Sequence, residues 1–180
     1  MAGTIATLPP RTLADGNRKL TALLTPPKDI HKITVAELAA GLDVSCRVMS
    51  DGTRFRAQDS DRVSEPAICE PAGAESLGAG KYEASVVPFR FFDPAKPGQA
   101  DAEGDKLFTA LRVKGTPVVF VERFVNKKWS EAWAAVDEYQ AFSVISDNWQ
   151  SQDNPKEGYI KATVPLLVQD AELNGVVATA

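Results

Sequence analysis

The sequence has little cysteine, almost no histidine and no long apolar run. Two cysteines and one histidine occur in 180 residues. A disulfide framework needs more thiols and an oxidising compartment, so Cys46 and Cys69 are read as reduced thiols. A structural zinc site takes four Cys or His ligands, more than this chain supplies. Any Ser-His-Asp or Cys-His arrangement would have to use His31, which stands beside Lys32 in a polar linker and reads as a solvated residue. No stretch approaches the roughly 18 consecutive apolar residues of a membrane-spanning helix. Met1–Pro10 has neither a basic start nor a long apolar core, so it is not read as a signal peptide. An excess of cations is missing too. The formal net charge is −4, which disfavours gripping a phosphate backbone, because that affinity comes from Lys and Arg displacing counterions.

Motifs that carry chemistry are equally scarce. Neither GxGxxG nor GxxxxGK[ST] occurs, so no loop is built to cradle phosphate. Asp101, Glu103 and Asp105 resemble a calcium loop superficially but lack the glycine and the terminal bidentate Glu at the spacing an EF-hand needs, and they read as a solvated acidic loop. No pair of carboxylates points to glycoside hydrolysis. No catalytic, cofactor-binding or metal-ligating residue is therefore nominated, no cofactor is expected, and the chain is expected not to be an enzyme.

What is present is an ordinary globular composition. Hydrophobic residues make up 44% and charged residues 24%, enough apolar material for an independent core in a chain of this length. The chain is organised around Lys81–Val125. Tyr82–Phe92 is β-branched and aromatic and reads as a strand, a polar loop follows over 93–103, and Asp105–Arg112 reads as a short helix. Leu107, Ala110 and Leu111 make one helical stripe, Asp105 and Arg112 suit the helix dipole, and Gly115 is expected to close the helix in a left-handed conformation. Thr116–Val125 reads as the next strand.

Elsewhere, Arg18–Thr25 reads as a strand before Pro26-Pro27. Thr34 followed by Glu37 makes a capping box, with Ile33 and Leu38 as a hydrophobic staple, so a short helix starts there and stops at Gly41. Asp43–Met49 alternates and reads as a strand. Residues 54–77 are charged and broken by Pro and Gly; they read as a long loop, with a short strand over Glu75–Leu77. Asn126-Lys127-Lys128 reads as a hairpin turn. Val136–Ile145 is mixed on both faces, so it needs partners other than bulk water on each. Tyr159–Val168 reads as a strand that Pro165 assigns to an edge or an end. The expected domains are an N-terminal arm at 1–17, one β-rich domain at 18–170, and a C-terminal tail of small residues at 171–180. The expected class is mainly β (α+β): a β-sandwich or barrel of six to eight antiparallel strands with a flanking helix, long loops and terminal arms.

With these elements placed, the chain resembles the major tail tube proteins of long-tailed bacteriophages, especially those infecting actinobacteria. The segments that carry the likeness are Lys32–Val48, Tyr82–Phe92, Lys106–Phe124 and Gly158–Pro165, in that order. The resemblance implies a β-sandwich flanked by a helix at Lys106–Arg112. It implies hexameric rings that stack into a tube, with the loop Ser50–Leu77 and both arms making subunit contacts. It implies as partners the chain itself, a tape measure protein in the lumen, and tail terminator and distal tail proteins. DNA would pass through without specific binding, and nothing would insert in a membrane. The expected location is the virion tail, after assembly in the host cytoplasm. A net-acidic wall and strands mixed on both faces suit such a conduit. The alternative is a monomeric β-sandwich binding module, a capsid decoration or carbohydrate-binding domain, which would show an exposed aromatic platform built from Trp129 and Trp133.

Overall fold

The computed structural model describes residues 11–65, 68–69, 75–151 and 158–179. The strands are β1 (Lys19–Leu23), β2 (Leu42–Asp43), β3 (Arg54–Gln58), β4 (Arg62–Val63), β5 (Ser76–Leu77), β6 (Lys81–Val86), β7 (Pro117–Arg123), β8 (Glu138–Ser146), β9 (Gln150–Ser151) and β10 (Ala162–Val176). Two short helices, α1 (Val35–Ala40) and α2 (Lys106–Leu111), complete the set. Eight strands form one sheet in the order β2-β1-β7-β8-β10-β6-β3, with β9 attached to β10, while β4 and β5 pair apart from it. Every strand pair is antiparallel. The fold is mainly β, as its strand pattern predicts.

The sheet curls on itself. Phe55 of β3 stands four places from β7 in the strand order, yet its ring lies 4.9 Å from Phe120 of β7 and 5.7 Å from Phe142 of β8. The concave face holds one apolar cluster, in which Leu20, Ala22, Val118, Phe120, Phe142 and Val144 meet Val86 and Val164. Leu107 and Leu111 of α2 join it, so this helix plugs the curl rather than lying outside it. The convex face of β1, β7 and β8 carries a second cluster: Leu23, Val119, Val121, Tyr139 and Ala141 pack under Ile33, Leu38, Trp133 and Val177. Period-2 alternation sends odd and even residues of these strands to opposite clusters.

α1 is built as its sequence dictates. The Glu37 amide donates to Thr34 Oγ1 at 3.3 Å, and the Thr34 amide donates to Glu37 Oε2 at 2.9 Å, which closes the capping box. A helix of six residues has no stability of its own, and burial of Ile33 and Leu38, worth about 1.5–3 kcal/mol each, holds it to the sheet. Gly41 ends it without a positive φ. Its value lies in close approach, since a Cβ there would sit 2.6 Å from Leu23 and Thr21 side-chain carbons. Gly115 does take a left-handed φ of 88°, but four residues past the end of α2 and two before β7, where its amide donates to the Ser146 carbonyl at the end of β8 rather than closing the helix.

Five further expectations give way. Asp43–Met49 is not a strand beyond β2. Ser45 donates from Oγ to Asp43 Oδ1 at 2.7 Å and accepts from the Leu20 amide at 3.0 Å, and this local bonding turns the chain at 44–47. The stretch 54–77 is no plain loop: it supplies the edge strand β3 and the hairpin β4–β5. β8 has residues 139, 141, 142 and 144 buried, with both faces under apolar clusters, so it shows no wet wall. Pro165 sits in β10, an interior strand between β8 and β6. Its carbonyl accepts from Asp147, just past the end of β8, so the absent N–H falls where the β8 ladder has stopped. Residues 171–176, expected as a tail, continue β10 against β8.

Candidate functional site at the open sheet edges

The sheet is not closed. At one margin β1 is sealed: β2 pairs with Thr21 and Ala22, while the Leu20 carbonyl and amide are taken by Val44 and Ser45. At the other margin β3 pairs only with β6, leaving the outer side of Arg54–Gln58 without a strand partner among the described residues. This margin is charged. Glu83 of β6 accepts from Arg56 Nη2 at 2.6 Å and from Gln58 Nε2 at 3.0 Å, with Arg54 Nη1 3.9 Å away. The Arg56 hydrogen bond, then that of Gln58, holds the Glu83 carboxyl below its ordinary value. Two arginines on one carboxylate leave the outward face of β3 with surplus positive charge.

A second opening lies along β10. β6 pairs with Val164–Leu166 and then diverges, whereas β8 follows β10 to Val176. Over Leu167–Val176 the side of β10 away from β8 therefore meets no strand of the described chain. Register shifts between Val168 and Asp170 and between Glu172 and Gly175 bend this half of the strand. Local side chains take three backbone groups of this stretch, Gln169 donating to the Leu167 carbonyl and the Ala171 and Asn174 amides donating to Asp170 and Glu172, and the groups left unpaired are a template for another chain.

The hairpin β4–β5 projects beside the β3 margin. Arg62 Nη1 bonds Glu75 Oε2 at 3.2 Å, and Lys81 Nζ bonds Asp61 Oδ1 at 2.5 Å at its base. Its two pairs of residues are exposed on every side, with Val63, Ile68 and Leu77 among the exposed large apolar residues and Leu77 84% exposed. A two-stranded hairpin without a covered face is marginal in water. Exposed apolar residues on it point to a partner surface.

The residues weighed in the sequence fall as follows. His31 is half exposed and bonds Glu172 Oε2 through Nδ1 at 2.7 Å, with Asp170 Oδ2 3.5 Å from Nε2. The Glu172 hydrogen bond raises the imidazole above its ordinary value and lowers that carboxyl in turn. Asp105 is buried at the start of α2, but its carboxylate bonds Arg90 Nε at 2.9 Å and the Phe91 amide at 3.1 Å and accepts from no amide of the helix. Trp133 is 7% exposed and donates from Nε1 to Thr21 Oγ1 at 2.9 Å; it is a core anchor and forms no platform with Trp129. Cys46 and Cys69 are free and exposed. Among the described residues no three His, Cys, Asp or Glu side chains gather to hold a metal, and no helix is long and apolar enough to cross a membrane. The sequence reading missed the split between β6 and β10. Its only trace was that the apolar pattern continues past Val168 through Ala171 and Leu173.

A family model described as "Phage tail tube protein" matches residues 5–180, nearly the whole chain. No curated protein matches the sequence. Among solved structures, a chain in a cryo-EM structure of the anti-feeding prophage baseplate, symmetrised six-fold, is similar at 12% identity with a TM-score of 0.48, over 95% of this chain and 98% of that one.

Proposed function

The chain belongs to the phage tail tube protein family, and from that premise we propose that it is the tube subunit of a long-tailed, siphovirus-type phage. Six copies close into a ring and rings stack into a tube. The family is structural, and its members are components of the virion tail. The observation that carries the finer reading is the pair of unfinished margins in one folded chain: the outer side of β3 and the far half of β10. Strand addition at such margins satisfies backbone groups and joins the sheets of neighbouring copies. The exposed β4–β5 hairpin and the start of the arm over 1–17 reach across to adjacent copies; residues 1–10 of that arm lie outside the described residues, while residues 12–17 pack beside Phe124 and Asn126 of their own chain. A tape measure protein fills the lumen during assembly in the host cytoplasm, tail terminator and distal tail proteins bound the tube, and DNA later passes without specific binding. The net charge of −4 supports that last point, because an acidic wall does not hold a polyanion.

Light scattering across a concentration series, with negative-stain microscopy of the concentrated protein, tests the reading. Mass rising to a ring and then to tubes is the expected result. A protein that stays monomeric at every concentration would refute it. Leu77→Asp, on the exposed hairpin, is expected to keep the monomer's Tm and lose assembly.

A further inference from the structure

A tube of stacked rings is an open, heterologous assembly, and such assemblies need two different surfaces that fit each other on every copy. This inference rests on the tube reading above. β8 has two ends, about 27 Å apart for nine residues, and each carries an exposed apolar feature. Past its C-terminal end, Trp149 packs edge-on against Phe108 at 5.6 Å, and Phe108 lies under the Arg90 guanidinium at 4.1 Å. Phe92 stacks on the same guanidinium at 5.0 Å. The Arg90 backbone amide bonds the Ile160 carbonyl at 2.8 Å, which sets Ile160 and Tyr159 beside this group. Asp105 is buried and fixes Arg90, so the aromatic group stands on a pinned side chain. Trp149, Phe92, Ile160 and Tyr159 are all exposed, Tyr159 at 78%. At the opposite end, Phe124 donates its amide to the Glu138 carbonyl at 3.0 Å where β8 begins. Phe124, 47% exposed, lines an open groove of about 540 Å³ with Leu13, Ala14 and Val125 on its apolar side and Asn17, Arg18 and Asn126 among its polar residues.

We propose that the aromatic projection at one end of β8 seats in the Phe124 groove of a second copy in the next ring, so that this head-to-tail contact stacks the tube. Isolated apolar residues on a surface need no explanation, but contiguous groups at both ends of the same strands do. A projection of rigid rings facing a concave groove is the usual form of an interface anchor, since aromatic side chains bury much area at small entropic cost. The contact is distinct from the sheet margins, which lie along the strands and serve neighbours within a ring.

The test uses the full chain and two variants, Ile160→Asp on the projection and Phe124→Asp in the groove. Both sites are exposed, so an unchanged Tm is expected for each; Tyr159→Ser serves if Ile160→Asp melts early. Each variant alone is expected to form no tubes under conditions in which the wild type does. Mixed in equal amounts, each supplies the intact half the other lacks. The mixture is expected to give one bounded species of twice the mass of either variant alone, and still no tubes. Tubes of wild-type length from either variant would overturn the contact, as would a mixture that shows no association. If the wild type itself forms neither rings nor tubes, the tube reading falls and takes this inference with it. Wild-type tubes beside variant tubes would remove the inference alone.

Discussion

Replacing Arg123 tests whether the loop that carries the groove is held by one buried cation. The Arg123 side chain is fully buried at the end of β7. Nη1 donates to the Glu131 and Ala132 carbonyls at 3.1 and 3.2 Å, and Nη2 donates to Lys128 at 2.6 Å and Lys127 at 3.4 Å. Its guanidinium also lies 5.6 Å from the Trp133 ring centre. Four carbonyls of one loop thus converge on one side chain. Swapping both members of a buried pair for apolar groups can be neutral, but here the acceptors are backbone and cannot be removed. Asp137 is not orphaned by the change, since Lys127 bonds its Oδ1. Hydrogen bonds to a charged donor contribute about 1.5–3 kcal/mol each, but they share one side chain and do not sum, so Arg123→Met is expected to cost about 4 kcal/mol. At roughly 2–4 °C per kcal/mol for a chain of this size, Tm should fall by about 8–16 °C. Urea unfolding monitored by Trp fluorescence should show the matching drop in midpoint with an unchanged slope. Arg123→Lys should restore only part of it, because an ammonium cannot fork to four acceptors. A loss in Arg123→Met of under about 1 kcal/mol would show that water replaces the guanidinium freely, and would refute the argument.

The other predictions concern packing and charge. Gly175→Ala places a methyl into the Tyr139 ring, whose hydroxyl donates to Ile30 and accepts from Ile33, so a cost of about 1–3 kcal/mol and loosened proteolytic protection around α1 are expected. His31 should titrate above 6.5 by NMR and fall back in Glu172→Gln. With its folded value raised, its contribution to stability is complete below 6.5 and is lost as pH rises through the folded value. Stability that does not change across that window would contradict the contact. Glu122 is raised by burial, with Arg18 opposing. Between 4.5 and its folded value the native state holds a proton that the unfolded state has released, so stability falls as pH rises there. Glu122→Gln should flatten that slope in urea midpoints taken across pH.

Much of this fold is legible where local chemistry and burial agree. Thr34 and Glu37 write the start of α1 in four residues, and the run at 116–125 locates β7, whereas the run at 82–92 finds β6 but overshoots its end at Val86. Local pattern misleads where tertiary partners decide. Asp43–Met49 alternates well enough for a strand, but Ser45 bonds back to Asp43 and to β1. Pro165 argues for an edge, yet it lies inside the sheet because β8 stops one residue short of needing its N–H. Trp129 and Trp133 share spacing and residue type, and only the Thr21 hydroxyl beneath Trp133 separates a core anchor from a surface ring. The split between β6 and β10 has no local signature, since it depends on where two distant strands part.

The two open margins also differ in how each would meet a second copy of itself. A flat apolar edge pairs with any strand it meets. The β3 margin instead carries Arg54 and Arg56 at alternate positions, so two copies approaching edge to edge bring four guanidinium groups together against two Glu83 carboxylates. The β10 margin is bent by two register shifts, which break the straight row of donors that a like strand would need. Each margin therefore resists its own kind while remaining open to a different, complementary strand. That asymmetry favours a directional joint, β3 of one copy against the far half of β10 in the next, over a symmetric pair. A directional joint repeated around an axis closes into a ring, whereas a symmetric pair would stop at two. Cross-linking of paired cysteines, in a chain whose exposed Cys46 and Cys69 are first replaced by Ser, should separate the cases: Arg56→Cys with Leu173→Cys in one chain is expected to give ladders up to a ring, and Arg56→Cys alone to give no dimer. Strong dimer from Arg56→Cys alone would mean that β3 meets its own copy and that the directional joint is wrong.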